Sequence, residues 1–371
     1  MPKTETESTQ RFEHASRWKS MLRRIVKLTV MIVVVVGLVL ATRSALRQWQ
    51  FEASRLNEKV TQVELEIASQ SDGEQREALI QKRNQLRRSV PTLGNLYWMR
   101  IAMAAALYAV GLLPSAMVLG GWLAVFGHRP NRLLVIAAQT LGHIGKYVPG
   151  KAMVVVMRVG VLSKASVPAV PATISVFLET FMMMAVGAAV AGVIICTLPV
   201  PTWMIAAAAI GTIVASLPTL PPLLQQITNR LIGREMRLGG PAWAACASGW
   251  GWSILSWLCI GSSFAMLVSA IPSASNPASL ATSFFSVWPM STAAISLAMV
   301  IGFVSLIPGG AGVREFVLAT ILGLAIGATQ ALLAAILARL VFIVVECLMA
   351  MMASLYVQRW SFNRMPSGPR G

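Results

Sequence analysis

Six ionisable side chains lie inside stretches of this chain that are otherwise apolar. Arg158 follows Val154-Val155-Val156-Met157, and Glu179 follows Val176-Phe177-Leu178. Arg314 and Glu315 come just after Pro308-Gly309-Gly310, and Arg339 and Glu346 share the last apolar run. On insertion scales each charge costs about 2.5–3.5 kcal/mol at the centre of a membrane helix. Residues retained at that cost do one of two things. Glu179 and Glu346 can neutralise Arg158, Arg314 or Arg339 and so lock helices together, or the cations can line a polar cavity that binds a phosphate-bearing group. Arg339 and Glu346 are seven positions apart and share one helical face. Residue by residue, the spacing leaves both readings open.

Two proline-glycine breaks place these charges. The first is Tyr147-Val148-Pro149-Gly150-Lys151, with Lys146 before it; the second is Ile307-Pro308-Gly309-Gly310. Proline lacks the N–H, and glycine has no side chain to hold a helix, so each break should split its apolar run into two half-helices. Lipid cannot satisfy the backbone groups freed at the join, so such breaks survive buried in protein or lining a wet cavity. The half-helices that start after Gly150 and Gly310 are expected to present free N–H groups to an anion. Lys151 would add a point charge there.

Composition fixes the class. Of the 371 residues, 56% are hydrophobic and only 12% charged, as in a polytopic all-α membrane protein. The net charge of +17 comes largely from basic residues that flank apolar runs. It reads as topogenic charge and contact with anionic lipid, not nucleic-acid binding. Cys196, Cys246, Cys259 and Cys347 are scattered through apolar runs, with no spacing that suggests zinc or a disulfide framework. His143 reads as a packed polar residue, and the methionine-rich stretches as core or lipid-facing filler.

Charge asymmetry orients the spans. Residues 1–24 form a basic cytoplasmic N-terminus, and residues 25–42 an uncleaved anchor. Full crossings are expected near residues 96–126, 167–198, 204–226, 242–271 and 331–357, with a basic cytoplasmic tail at 358–371. Pro218, Pro221 and Pro222 should end or bend the 204–226 helix early. Residues 133–162 and 288–324 are the two broken segments. On this assignment they are hairpins that enter from opposite faces, as in inverted-topology repeats. The expected fold is thus a polytopic helical bundle of about six full spans plus two broken hairpins. All of it lies in the cell (plasma or inner) membrane, with both termini cytoplasmic.

Residues 43–94 differ in kind, being charged and of mixed sign. Leu46, Trp49, Ala53, Leu56, Val60, Val63 and Ile67 form one apolar seam, and Ser71-Asp72-Gly73 signals a turn. Leu79, Leu86, Val90 and Leu93 form a second. This predicts an extracytoplasmic helical hairpin of coiled-coil character. It is either a rigid connector or a docking surface for an envelope-synthesis enzyme or a second copy.

Motifs of hydrolases, P-loop enzymes and metal-diphosphate enzymes are absent from the chain. No cofactor or metal is expected. At the two breaks the chain resembles the lysylphosphatidylglycerol synthase transmembrane family, the flippase-like domain of MprF- and YbhN-type proteins. The resemblance rests on Gly145-Lys146-Tyr147-Val148-Pro149-Gly150-Lys151 with Arg158. It rests more specifically on Pro308-Gly309-Gly310-Ala311-Gly312-Val313-Arg314-Glu315, with weaker matches at Glu179 and Arg339. It covers residues 96–357 and leaves out the anchor and hairpin. Two positions depart from the family's pattern: Thr180 stands where an arginine often follows the glutamate, and Glu346 matches no family position. The resemblance implies a substrate site of Lys146, Tyr147, Pro149, Gly150, Lys151, Arg158, Glu179, Pro308, Gly309, Gly310, Gly312, Arg314, Glu315 and Arg339. The soluble aminoacyl-transferring domain of bifunctional members has no counterpart in this sequence. The implied activity is therefore translocation of a phospholipid or polyprenyl-phosphate-linked headgroup between leaflets, not an enzymatic reaction. Two alternatives remain: a membrane scaffold for envelope lipid or glycan synthesis, and an intramembrane transferase using Glu179 or Glu315 as base.

Overall fold

The computed structural model describes residues 53–90, 96–147, 152–232, 241–271, 284–305 and 312–362, with isolated residues between 32 and 51. The described residues are helical throughout apart from turns, and contain no strand. Most of the 25–42 anchor and both proline-glycine breaks lie outside them, as do residues 1–24 and 363–371.

The chain opens with a helical hairpin. Helix α1 (residues 53–69) and α2 (Gly73–Ser89) are joined by a short turn. Asp72 caps α2, its carboxylate accepting the Glu74 N–H at 3.2 Å. The middle of the predicted seam packs, with Leu56, Val60 and Val63 buried, whereas Leu46 is exposed; Val90 closes the second limb. Leu56, Val60 and Val90 join the main core of the bundle rather than a separate one. The Arg87–Glu64 ion pair at 3.5 Å ties the two limbs at the surface.

The bundle proper holds α3 (Trp98–Val125), α4 (Arg132–Gly145), α5 (Ala152–Leu162), α6 (Ala169–Cys196), α7 (Thr202–Ser216) and α8 (Pro221–Ile232). It continues with α9 (Pro241–Ala270), α10 (Phe284–Val304), α11 (Val313–Ile326) and α12 (Ala328–Phe362). Among the described residues six helices are long and apolar enough to span a membrane: α3, α6, α7 with its 3-10 extension to Thr219, α9, α10 and α12. Five of these are expected crossings. The sixth, α10, is the first limb of the second broken segment. At 21 residues it is about 31 Å long, enough to cross alone. Limb α4, at 14 residues, is about 21 Å long and is not. The proline cluster acts as expected: α7 stops at Ser216, and α8 restarts at Pro221. Helix α12 runs to Phe362, past the expected end of the last span.

Packing relates the two halves. Helix α3 lies along α9. In the first half α4 packs on α5 and α5 on α6; in the second α10 packs on α11 and α11 on α12. The halves then exchange partners: α4 packs on α12, and α10 on α6. Units α3–α6 and α9–α12 thus carry the same neighbour relations, with α7 and α8 between them. Small residues allow the close approach at the centre. The Ser256 hydroxyl donates to the Gly111 carbonyl at 2.6 Å, and Ser263 to that of Ala104 at 2.7 Å. Helix α7 packs chiefly on α6 and leaves Trp203, Ile210, Ile213 and Val214 on the outside. An apolar helix exposed in this way suits a lipid-facing position.

Candidate functional site

In each half, the arginine after the break lies across a glycine of the limb before it. A Cβ on Gly142 of α4 would collide with Arg158 Nε; one on Gly302 of α10 would meet Arg314 Cγ at 2.7 Å. Lacking side chains, these glycines leave a slot in which an arginine stem can lie against helix backbone. Gly145 lets the limbs themselves close, since a Cβ there would meet the backbone N of Val154 at 2.7 Å. Gly312, at φ +82°, occupies the left-handed region that favours glycine and starts α11. Its N–H donates to Glu315 Oε2 at 2.7 Å.

The three carboxylates at the centre are each held by a cation and further donors. Glu179 receives Arg158 Nη1 at 2.5 Å, Gln139 Nε2 at 2.8 Å and the Thr180 hydroxyl at 3.1 Å. Glu315 receives Arg339 Nη1 at 2.8 Å beside the Gly312 N–H. Glu346 receives Lys146 and the Tyr108 hydroxyl on one oxygen, and the Tyr147 hydroxyl at 3.0 Å on the other. Phe342 stacks on the Tyr108 ring with centroids 3.7 Å apart, fixing the phenol toward Glu346. Arg158, Glu179 and Glu346 are buried, and Arg339 and Arg314 half-buried. Three carboxylates therefore meet four cations, and Arg314 is the one that pairs with no carboxylate among the described residues. Its Nε is buried without a hydrogen-bond partner.

The two halves differ in a way that accounts for this surplus. In the first half the next helix, α6, supplies a carboxylate, Glu179, to Arg158 on α5. In the second half the corresponding helix, α12, supplies another cation, Arg339, and that cation takes Glu315 on α11 for itself.

The cluster faces a cavity of about 440 Å³, lined by Arg158, Glu179, Lys146, Arg314, Gln139 and His143 among others. Much of the remaining wall is apolar, including Val155, Phe177, Met184 and Phe303. A second cavity, of about 40 Å³, lies on the Glu315–Arg339 side, and Lys146, Met299 and Arg314 line both.

Of the residues predicted for the site, Lys146, Tyr147, Arg158, Glu179, Arg314, Glu315 and Arg339 come together here. Gly312 sets the start of the helix that carries Arg314. Pro149, Gly150, Lys151, Pro308, Gly309 and Gly310 lie outside the described residues. The pairings expected for the glutamates hold for Glu179 with Arg158. Glu346 instead takes Lys146, a cation outside the three arginines expected as partners. Tyr108, Gln139 and Ser115 were not anticipated; Gln139 bridges Ser115 at 2.9 Å to Glu179. His143 lines the cavity, and its Nε2 is buried without a hydrogen-bond partner among the described residues. One signal was available in the sequence: after residue 96 the chain has only four carboxylates, and all but Glu235 are in this cluster.

Among curated proteins, none matches the chain. A family model described as the lysylphosphatidylglycerol synthase TM region matches residues 79–348. The match starts inside α2, earlier than the resemblance at the breaks had suggested, so the second limb of the hairpin partly belongs to it. It takes in every residue of the cluster, from Tyr108 to Glu346. This multi-pass helical membrane protein belongs to the family of the lysylphosphatidylglycerol synthase TM region.

Proposed function

We propose that the protein translocates a phosphate-bearing lipid headgroup, on a phospholipid or a polyprenyl-phosphate carrier, between the leaflets of the cell membrane. The observation that carries this reading is the surplus cation: Arg314 faces a cavity inside the bundle with no carboxylate partner among the described residues. A half-buried arginine without a counter-ion suits an anionic ligand, and a phosphate is the partner its planar fork fits. The apolar part of the wall suits the first carbons of acyl or prenyl chains. The near-equivalent packing of the two halves supports a two-state exchange of access, of the kind built on repeated helical units. With no nucleotide-binding motif in the sequence, translocation is passive or coupled to an ion gradient. In this reading the hairpin of residues 43–94 stands on the outer side as a connector, and both termini are cytoplasmic.

The test is leaflet exchange in proteoliposomes containing a trace of acyl-labelled fluorescent phosphatidylglycerol, read by dithionite quenching. Wild type should bleach label from both leaflets, and Arg314→Gln should protect the inner pool as protein-free vesicles do. Equal exchange by wild type and Arg314→Gln would remove the site assignment. No exchange of either a phospholipid or a labelled polyprenyl phosphate would remove the function.

A further inference from the structure

The charge pattern of the cavity says which headgroups it accepts. Building on the translocation reading, we infer that this site selects headgroups of net negative charge and rejects those bearing a cationic substituent, aminoacylated lipids included.

Every carboxylate in the cluster is already matched by a protein cation. Glu179 holds Arg158, with Gln139 and Thr180 beside it. Glu315 holds Arg339 and the Gly312 N–H. Glu346 holds Lys146, with Tyr108 and Tyr147. A ligand ammonium would have to share a carboxylate that a protein cation already neutralises, and the surplus of positive charge in the cavity would grow. An anion has the opposite prospect. Arg314 borders both cavities, its Nε has no partner, and Gly302 leaves its stem room against α10. One phosphodiester charge matches one surplus cation. A headgroup that adds an amine to that phosphate brings a charge for which the site has no counterpart.

Arg314 is accordingly the specificity-determining residue. Arg158, its counterpart in the first half, is already matched to Glu179 and is a positioning residue.

The experiment compares three acyl-labelled probes in the same proteoliposomes: phosphatidylglycerol (net −1), phosphatidylethanolamine (zwitterionic) and the lysine ester of phosphatidylglycerol (net +1). For wild type the expected order is phosphatidylglycerol, then phosphatidylethanolamine, then the lysine ester, with the first and last separated by on the order of tenfold or more. Arg314→Lys, which keeps the charge, should keep the order. Arg314→Gln should lose the advantage of phosphatidylglycerol, with its fold checked by monodisperse elution in detergent. Equal rates for the three lipids, or faster movement of the lysine ester, overturn the selectivity and leave the translocation reading intact. Movement of none of them, with a labelled polyprenyl phosphate also immobile, overturns both. Loss of the order in Arg314→Lys as well as Arg314→Gln, with both variants folded, overturns the assignment of selectivity to the charge.

Discussion

Arg158 and Arg314 each follow a break, yet one pairs with a carboxylate and the other pairs with none among the described residues. The difference predicts opposite responses to substitution. Glu179→Leu leaves Arg158 buried and unpaired, and should cost about 3–5 kcal/mol. Adding Arg158→Met to it should restore most of that loss, because two apolar side chains replace the pair. Arg314→Gln removes a cation with no partner and should change stability by less than about 1 kcal/mol while impairing exchange. Thermal unfolding in detergent, read beside the dithionite assay, separates the two cases. The charged residues of the site were legible because lipid makes every intramembrane charge conspicuous. Their pairing was not. Lys146 and Glu346 meet across 200 positions of chain, and a seven-residue spacing names a face of α12 but not what it meets. Tyr108 and Gln139 escaped notice because single polar groups in apolar runs are common and carry no charge penalty.

The elements hold the site through contacts that depend on glycine. Gly145→Ala puts a methyl group against the backbone of Val154, which cannot swing aside as a side chain can. It should cost about 1–3 kcal/mol by forcing α4 and α5 apart, as a lower melting temperature would record. Gly302→Ala meets the Arg314 stem instead and should displace that side chain, lowering exchange more than stability. The hairpin gives a third case. Val60 is 6% exposed and belongs to the main core, whereas Leu65 is 67% exposed. Val60→Glu should destabilise the protein, while Leu65→Glu should leave both melting and exchange unchanged if the hairpin is a connector. A loss of function in cells, with exchange by the purified Leu65→Glu protein intact, would favour a docking role instead. The seams of this hairpin were readable from spacing alone, since alternating steps of three and four place residues on one helical stripe. The length of α10 was not. The run from 284 to 304, apolar but broken by Pro289, serines and a threonine, does not mark where the limb begins, and Pro308-Gly309-Gly310 marks only its end.

At the scale of the whole molecule, the two halves share their neighbour relations but not their charges. Equivalent packing suits the exchange of two arrangements that we propose, and the unequal charges leave Arg314 as the cluster cation without a carboxylate among the described residues. The sequence hinted at the repeat through its two breaks and the basic residue after each. The exchange of α4 onto α12 and of α10 onto α6 is a tertiary relation that no local pattern encodes. The proposed function rests on a lipid phosphate occupying the 440 Å³ cavity against Arg314. The most direct measurement is an electron cryomicroscopy map of the protein in nanodiscs containing phosphatidylglycerol. The expected result is phosphate density within hydrogen-bonding distance of the Arg314 guanidinium, with Glu179, Glu315 and Glu346 still on their protein partners. A map in which Arg314 pairs with a protein carboxylate, and the cavity holds only water or acyl chain, would contradict it.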